Sequence, residues 1–495
     1  MFNMAVLTLL LIPFISGLFL FINKGNAKLS SASAYRASLA VLVVAILSLT
    51  AWNQPTMLNF SAPWLSSLGS SFSLQLDGLG KILVLLNAIA FVVLTLYNRN
   101  KEIDRPHQFY GWLLLSQAGM MGVFLAMDGL LFYFFWELAL IPMYFLASQW
   151  GGPRRIAITF KFFIYTFVGS VLMLIGLLYL QSKTVDQSFA LESLLRVPLT
   201  NNQQSWLFGL FFVAFAVKIP VFPFHTWQPD AYEQAPTSVT AILSAVMVKM
   251  GVLGLLRWLL PLFPVASYLW GDVIMSLGVI SIVYASLLAW RQQDLKRLVA
   301  YSSIAHLGLM TVAVFAVNFS SIQGVLIQLF SHGINVLGMW LLLDIIERKT
   351  GTRQINELGG LAQSSPLLTI FFVIIALANI ALPLTNAFIG EFLMFNGILA
   401  TKSNYYWVFA AVAGIGIILS AVYTLNMVRH VFYGATQDRT ASPIELELQE
   451  KIALGIIVLL ILVFGIYPQP LLDITASVAQ QLIGDADISA LFRKS

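Results

Sequence analysis

The chain has 495 residues, of which 59% are hydrophobic and only 10% are charged. So large an apolar excess excludes a soluble domain whose polar residues cover an apolar core, and it predicts a polytopic membrane protein. The net charge of +5 comes from basic residues in short loops between apolar runs. This distribution sets membrane topology and does not indicate nucleic acid binding, which requires one clustered basic face.

The sequence contains no cysteine, which excludes disulfides, haem-thiolate ligation and iron–sulfur ligation by this chain. It also has no GxGxxG or GxxxxGK[ST] motif, so we expect no redox cofactor of its own. The histidines lack the spacing of metal ligands, and no metal site is predicted; they are His107, His225, His306, His332 and His430. The first apolar run is followed by Lys24 and Lys28, which favours a retained span over a cleaved signal peptide.

Apolar runs of roughly 17 to 25 residues predict membrane-spanning helices. The predicted fold class is therefore all-α integral membrane, with about fourteen helices near residues 2–23, 37–52, 78–98, 110–127, 129–149, 162–181, 206–226, 238–259, 270–290, 298–317, 322–346, 367–398, 405–432 and 452–468.

Basic residues alternate between the two sides of these spans. One side carries Lys24, Lys28, Arg36, Arg99, Lys101, Arg105, Arg154, Arg155, Arg291, Lys296, Arg297, Arg348, Lys349, Arg353, Arg429, Arg439 and Lys451, seventeen in all, and the other carries Lys81, Lys183, Arg196, Arg257, Lys402, Arg493 and Lys494. The side richer in lysine and arginine is expected to be cytoplasmic. Both termini are therefore predicted to lie outside.

Two predicted spans contain helix-breaking prolines close to an ionisable side chain. Pro220 and Pro223 follow Lys218 directly, and Pro383 precedes Glu391. Proline removes backbone hydrogen bonds, and broken backbone at membrane depth is tolerated only inside protein or beside a wet cavity. Five spans separate the two breaks, so the two units would be inverted relative to each other, as in transporters built on half-helices.

Four ionisable residues lie deep in the predicted spans: Glu137, Lys218, Lys249 and Glu391. At roughly 2.5 to 3.5 kcal/mol each, their insertion together costs on the order of 10 kcal/mol, so a function is expected. One interpretation is that two Glu–Lys pairs hold the helices together. The favoured interpretation is a proton pathway, because burial disfavours the charged form of both residue types and lets them exchange protons near neutral pH.

Three histidines extend this hypothesis. His306 and His332 lie inside later spans, between the segments of Lys249 and Glu391, and can act either as proton relays or as packing residues. His225, in FPFHTW, either caps the half-helix after the first break or faces the cytoplasmic entrance.

Several motifs in combination resemble one family. They are FFWELALIPMYFL, WGGPRRIAITFKFFIYTFVGSVLML, FAVKIPVFPFHTWQPDA, QAPT, MVKMG, DLKRLVAYSSIAHLG and GEF at 390–392. Together they are similar to the antiporter-like membrane subunits of proton-pumping NADH:quinone oxidoreductase, complex I, and among these to the NuoM type. The family is also similar to Mrp sodium/proton antiporters. The resemblance covers residues from about 75 to 430.

The resemblance implies fourteen helices with two inverted five-helix repeats that contain broken helices. The corresponding divisions are N-terminal helices in 1–100, a first repeat in 101–260, a second repeat in 261–435, and a last helix with a tail in 436–495. It implies a location in the bacterial inner membrane with periplasmic termini. Neighbours of the NuoL and NuoN types would flank the chain, and FMN, iron–sulfur clusters and quinone would belong to partner subunits.

The resemblance also assigns roles to residues. Glu137 would stand beside Lys218 on the broken helix, and Lys249 would be the central lysine. His306 and His332 would be the central relay, and Glu391 would be the terminal residue on the second broken helix. Glutamate at the last position favours the NuoM type over the NuoL, NuoN and Mrp types, which usually carry lysine.

Two stretches depart from the family pattern. The stretch QPDAYEQAPT has Tyr232 and Gln234 where the family usually has histidine and glutamate, so cytoplasmic protons would be admitted differently, through Glu233 or Asp230. The second break, LPLTNAF, lacks the glycine often found after its proline, which affects its local geometry.

Three other functions remain open at this stage. An Mrp-type cation/proton antiporter would work without redox chemistry. A carrier of an organic solute would need a cluster of polar or aromatic groups at the breaks, and the sequence shows no obvious one. A structural scaffold for quinone-reducing partners would use the buried charges only for assembly.

Overall fold

A computed structural model describes residues 4–24, 26–50 and 58–485. Its helices are α1 Ala5–Ile22, α2 Ala27–Thr50, α3 Gly78–Tyr97, α4 Pro106–Leu125, α5 Gly129–Trp150, α6 Arg155–Lys183, α7 Leu191–Leu195, α8 Asn201–Lys218, α9 Gln228–Gln234, α10 Thr237–Leu262, α11 Pro264–Arg291, α12 Leu295–Phe315, α13 Phe319–Thr350, α14 Leu361–Ser364, α15 Pro366–Asn379, α16 Asn386–Leu399, α17 Tyr406–Phe432, α18 Leu448–Ile466 and α19 Gln469–Asp485.

The predicted fold class, a helical integral membrane protein, is confirmed. Within the described residues, eleven helices are long and apolar enough to cross a membrane by length and composition, namely α1, α2, α3, α5, α6, α10, α11, α12, α13, α17 and α18. Helices α15 and α16 are apolar but shorter. The predicted count of fourteen is therefore not confirmed. The outer ends of the first two predicted spans, at residues 2–3 and 51–52, lie outside the described residues.

The helices extend further into polar sequence than predicted. Helix α2 begins at Ala27 although its predicted span begins at residue 37, and α13 continues to Thr350 although its span was predicted to end at 346. Polar residues at helix ends keep the backbone hydrogen bonded while their side chains reach water, so a hydropathy criterion alone ends a helix too early. A further helix, α19, follows the last predicted span and was not predicted.

The sequence also predicted no strand, yet a β-hairpin lies between α2 and α3. Strand β1, Asn59–Leu65, pairs antiparallel with β2, Ser70–Gln75, with Asn59 opposite Gln75. The Asp128 side chain anchors the hairpin by accepting hydrogen bonds from the Ser70 hydroxyl at 2.7 Å and the Ser71 amide at 3.0 Å. Asp128 also caps α5, so one buried carboxylate ties the hairpin to that helix.

Both predicted helix breaks are confirmed. Helix α8 ends at Lys218, the chain turns through the prolines, and it resumes as α9. The single span predicted for residues 367–398 is two helices, because α15 ends at Asn379 and α16 begins at Asn386. In each case the break falls where proline cannot continue the backbone ladder.

The chain forms two compact units. The first contains the described residues up to Ile219, those from Val246 to Gly271 and the end of α19. In it, α4 packs against α1 and α5, and α6 packs against α8. The second contains residues 220–245 and 272–479, where α13 is central and packs against α12, α15, α16 and α18. The predicted repeat divisions at 1–100, 101–260, 261–435 and 436–495 stay a prediction.

Candidate functional site

Glu137 lies in the middle of α5 in the first unit and is partly buried. The Ser170 hydroxyl, on α6, donates a hydrogen bond of 2.5 Å to its Oε1. Such a bond to a carboxylate is charge-assisted and stronger than a neutral one. Sequence reasoning missed Ser170, although GSV in the quoted motif marks a small polar residue in an apolar helix.

Lys218 is the last residue of α8, directly before the first break, and only 1% of it is exposed. Its Nζ lies 5.4 Å from the centroid of the Trp136 ring and 6.0 Å from that of Phe162. These aromatic faces attract the ammonium in the absence of water. Glu137 interacts with Lys218 electrostatically, but the two form no direct ion pair among the contacts of the described residues.

Lys249 lies within α10 and is fully buried. Two π-helical turns flank it, Leu243–Met247 before and Gly254–Leu259 after. Such turns widen the helix by one residue and occur frequently at functional sites. The sequence predicted the lysine but not the turns, because a π-turn leaves no distinct hydrophobic period.

Two glycines bring the helix of Lys249 against the end of α8. A Cβ at Gly251 would lie 3.0 Å from the Phe215 carbonyl oxygen and 2.5 Å from Ile219 Cγ1. A Cβ at Gly254 would lie 2.4 Å from the Phe215 ring. A side chain at either position would collide with these neighbours, so the backbone at Gly251 lies against that of α8 and Gly254 packs on the Phe215 ring.

Glu391 lies on α16, just after the second break, and only 5% of it is exposed. His306 Nδ1, on α12, is 3.1 Å from Glu391 Oε1. The Gln328 side-chain amide, on α13, donates to the same oxygen at 3.3 Å. The structure thus gives Glu391 a histidine and an amide as partners. Gln328 was missed because one glutamine in an apolar span has no distinctive spacing.

His332 continues this cluster in the second unit. Its ring centroid lies 5.5 Å from that of His306, at a tilt of 52°. Ser303 Oγ lies 3.5 Å from His332 Nε2, a long hydrogen bond. The structure therefore brings together three of the predicted residues, His332, His306 and Glu391, although their segments are far apart in sequence.

His225 follows the first break and is 4% exposed. Its ring stacks on Phe222 with centroids 5.8 Å apart and meets Tyr284 edge-on at 5.2 Å. The Phe222 amide donates to Ser281 Oγ at 2.8 Å, which supplies one of the hydrogen bonds lost at the break. His225 thus lies in an aromatic cluster that packs the turn.

The acidic residues that the sequence singled out as alternative acceptors of cytoplasmic protons are paired with arginines. Arg297 Nη1 lies 3.2 Å from Asp230 Oδ1 and 2.8 Å from Glu233 Oε2. Arg353 Nη2 lies 3.1 Å from Glu233 Oε1. Tyr232, which replaces the usual histidine, is fully buried and meets Trp340 edge-on at 5.7 Å. The replacement therefore turns this position into an aromatic packing contact.

Arg257 is a buried residue of α10, 4% exposed, and not a loop residue. The side of the membrane to which it was assigned stays a prediction. Its Nη1 donates to the Phe124 carbonyl at 2.6 Å, and its Nη2 pairs with Asp77 Oδ1 at 2.5 Å. Arg257 follows Lys249 by eight residues in an apolar run, and this spacing on a helix was the signal that it shares a buried face.

Within residues 4–24, 26–50 and 58–485, no group of three histidine, aspartate or glutamate side chains is placed to hold a metal ion. The site instead consists of ionisable groups beside broken or distorted helices. This arrangement defines the class of ion-translocating membrane proteins with half-helices.

Comparisons with known proteins agree with this class. The sequence profile described as "NADH:quinone oxidoreductase/Mrp antiporter, TM" matches residues 126–418. NADH-quinone oxidoreductase subunit M of Pseudomonas aeruginosa is 37% identical over 97% of this chain and 98% of its own length. The chain belongs to the NADH:quinone oxidoreductase/Mrp antiporter transmembrane family, and the resemblance to the subunit M type is confirmed.

Two solved structures share the fold. A chain of respiratory complex I from Thermus thermophilus superposes with a TM-score of 0.90 at 28% identity, covering 98% of this chain and 100% of that one. A chain of the Mrp complex from Dietzia superposes with a TM-score of 0.81 at 23% identity, covering 97% of this chain and 52% of that one. The second likeness concerns the fold alone.

Proposed function

We propose that this chain is the proton-translocating membrane-arm subunit of a respiratory NADH:quinone oxidoreductase. The observation that carries the proposal is the buried Glu391, held by His306 and Gln328 beside a broken helix. A histidine and a carboxylate in contact can share and pass a proton, and Glu391 lies on the helix that follows the second break.

The proposed path runs from Glu137 and Lys218 to Lys249, then through His306 and His332 to Glu391. Lys218 is the step at which charge is controlled, because the Glu137 carboxylate favours its protonated form. Weakening that interaction releases the proton towards the next acceptor. Protons would move from cytoplasm to periplasm.

The energy for this movement has to come from partner subunits. Moving one charge against 100 mV requires about 2.3 kcal/mol, and the chain has no redox group predicted from its sequence. We therefore place FMN, iron–sulfur clusters and quinone in partners. NuoL-type and NuoN-type subunits would be its neighbours in the bacterial inner membrane, with both termini of this chain periplasmic.

Replacement of Lys218 by methionine tests the proposal. Lys218→Met keeps the length of the side chain but removes the proton carrier, so we expect an assembled complex whose NADH-driven proton pumping falls by about tenfold or more. Proton uptake per quinone reduced is measured in inverted membrane vesicles. Lys183→Met, at the exposed end of α6, is the matched control and should pump normally. Normal pumping by an assembled Lys218→Met complex would refute the assignment of Lys218.

A second candidate function is an Mrp-type cation/proton antiporter, favoured by the family match, whose description includes Mrp antiporters. It predicts sodium-dependent pH changes in vesicles without NADH. The glutamate at position 391 argues against it, since Mrp subunits usually carry lysine there. Purification of the tagged chain distinguishes the two, because a complex I subunit should co-purify with NADH-driven quinone reduction and iron–sulfur absorbance.

A further inference from the structure

A small pocket with room for about one water molecule lies beside Glu391 in the second unit. Helices α11, α12, α16 and α17 contribute its walls. Small residues leave the space open, namely Ala305, Ala413 and Gly416. The polar groups that line it are Glu391, His306, Ser420 and Tyr423. A pocket of this size, with four polar groups in its lining, is suited to hold about one ordered water molecule.

The Glu391 carboxylate has one oxygen available for such a water. Both of its hydrogen bonds, from His306 and from Gln328, end on Oε1. The side chain is 7% exposed, and it lines the pocket. A carboxylate has four lone-pair sites, so Oε2 can accept from a donor in the pocket.

The hydroxyls of Ser420 and Tyr423, both on α17, line the pocket and can accept hydrogen bonds from a water. Tyr423 is 1% exposed and donates its hydroxyl to Ser302 Oγ at 2.9 Å. Ser420 donates to the Ile417 carbonyl at 2.7 Å. Each hydroxyl proton is thus already engaged, and the oxygen lone pairs are left for another donor.

Ser302 links the Tyr423 hydroxyl to the residue that ends α15 at the second helix break. Asn379, the last residue of α15, donates from its amide to Ser302 Oγ at 3.2 Å. Ser302 therefore accepts from both Asn379 and Tyr423. This fixes the tyrosine relative to the end of the broken helix, on the wall of the pocket that contains Glu391.

We propose that the pocket holds a water molecule that donates one hydrogen bond to Glu391 Oε2 and the other to Tyr423 Oη, and that Tyr423 is a positioning residue for proton transfer at Glu391. When Glu391 is protonated, its hydroxyl donates to the same water, so the water remains in contact with both states. This inference rests on the proposed function and adds Tyr423 and its water to the path.

The first test removes only the hydroxyl. In Tyr423→Phe, the water loses one hydrogen bond worth about 1 kcal/mol, so proton pumping per quinone reduced by the intact complex should fall about fivefold. Tyr110→Phe is the matched control, since Tyr110 is also 1% exposed and donates to the Asn98 carbonyl at 3.1 Å.

Infrared difference spectra provide a second measurement. The band of the protonated carboxyl is identified by its loss in Glu391→Gln. It should shift in Tyr423→Phe and stay in place in Tyr110→Phe.

The second test fills the pocket. Ala413→Val places two methyl groups in the space of the water and should reduce pumping to the extent of Tyr423→Phe. Ala410→Val, buried at 3% on the same helix but outside the pocket lining, controls for overpacking. If Glu391→Gln abolishes pumping while Tyr423→Phe and Ala413→Val pump normally, the inference fails and the proposed function stands. If Glu391→Gln itself pumps normally, the role of Glu391 in the proposed function fails.

Discussion

The buried ionisable side chains are stabilised by different kinds of partner. Lys218 lies over aromatic rings, Glu137 accepts from a serine, and Glu391 has a histidine and an amide. Arg257 is paired with Asp77 and a backbone carbonyl. The first three have weak or neutral partners, which allows a change of protonation. The fourth is a closed ion pair with a permanently charged guanidinium, as expected of a structural element.

Disruption of this ion pair is predicted to destabilise the first unit. Removing one partner of a buried pair costs about 3 to 5 kcal/mol, and because Asp77 is 31% exposed we expect about 2 kcal/mol for Arg257→Met. The midpoint of thermal unfolding of the detergent-extracted protein measures the loss. The double variant Arg257→Met with Asp77→Asn removes both charges and should recover part of the stability. Equal losses in the single and double variants would show that the charge of Asp77 is not the cause.

Sequence reasoning at this scale found charged residues and missed their neutral partners. Glu137, Lys218, Lys249 and Glu391 stand out because charge inside an apolar run is costly wherever it occurs. Partners such as Ser170 and Gln328 are ordinary residues of a membrane helix. Their role depends on which helices meet, and the pattern within one helix does not contain that information.

The second break, between α15 and α16, contains a residue with a left-handed backbone conformation. Leu384 directly follows Pro383 and has a φ of 72°, in the left-handed region that favours glycine. This is the position where the sequence lacked the family's usual glycine. The side chain of Leu384 is 67% exposed, so little packing compensates for the strain.

Replacement of Leu384 by glycine is therefore predicted to stabilise the protein. The left-handed conformation costs a residue with a Cβ about 1 to 2 kcal/mol, and glycine regains part of this despite its greater freedom when unfolded. We expect a gain of about 0.5 to 1 kcal/mol, measured as a higher midpoint of thermal unfolding. Leu382→Gly, two residues earlier and 43% exposed, is the control. It should lower the midpoint, and a gain in both variants would contradict the explanation.

Elements whose sequence signal lies within one segment were predicted, and elements that depend on contacts between segments were missed. Prolines located both breaks because their effect on the backbone is local. The hairpin Asn59–Gln75 was missed because its strands are short, one of them contains Pro63, and they depend on Asp128 for their anchor. The π-turns around Lys249 are set by the packing of α10 against α8 at Gly251 and Gly254, which no single-helix pattern reports.

At the scale of the whole molecule, composition was sufficient to predict a multi-pass membrane protein, and the family comparisons support it. The number of spans was less predictable, since half-helices such as α15 and α16 merge into one apolar run. The orientation rests on the excess of basic residues on one side. Arg493 and Lys494, which were counted on the other side, lie outside the described residues.

Reporter fusions test the orientation directly. Seventeen basic residues were assigned to one side and seven to the other, so both termini are expected outside. Alkaline phosphatase fused to the C-terminus should be active, and green fluorescent protein at the same place should be dark. A fusion within the loop between α6 and α8 should behave in the same way. The opposite result at the C-terminus would reverse the predicted topology.

The packing of Gly465 against the second break restricts how the backbone of that break can move. A Cβ at Gly465, on α18, would lie 2.1 Å from the Leu384 carbonyl oxygen, so the two backbones are in direct contact. A break braced in this way cannot slide along its neighbour as a rigid body without losing that contact. A rigid-body displacement of the bend, which takes microseconds to milliseconds, would have to break this contact. We therefore expect the slow step of the cycle to lie elsewhere than in this bend of the chain.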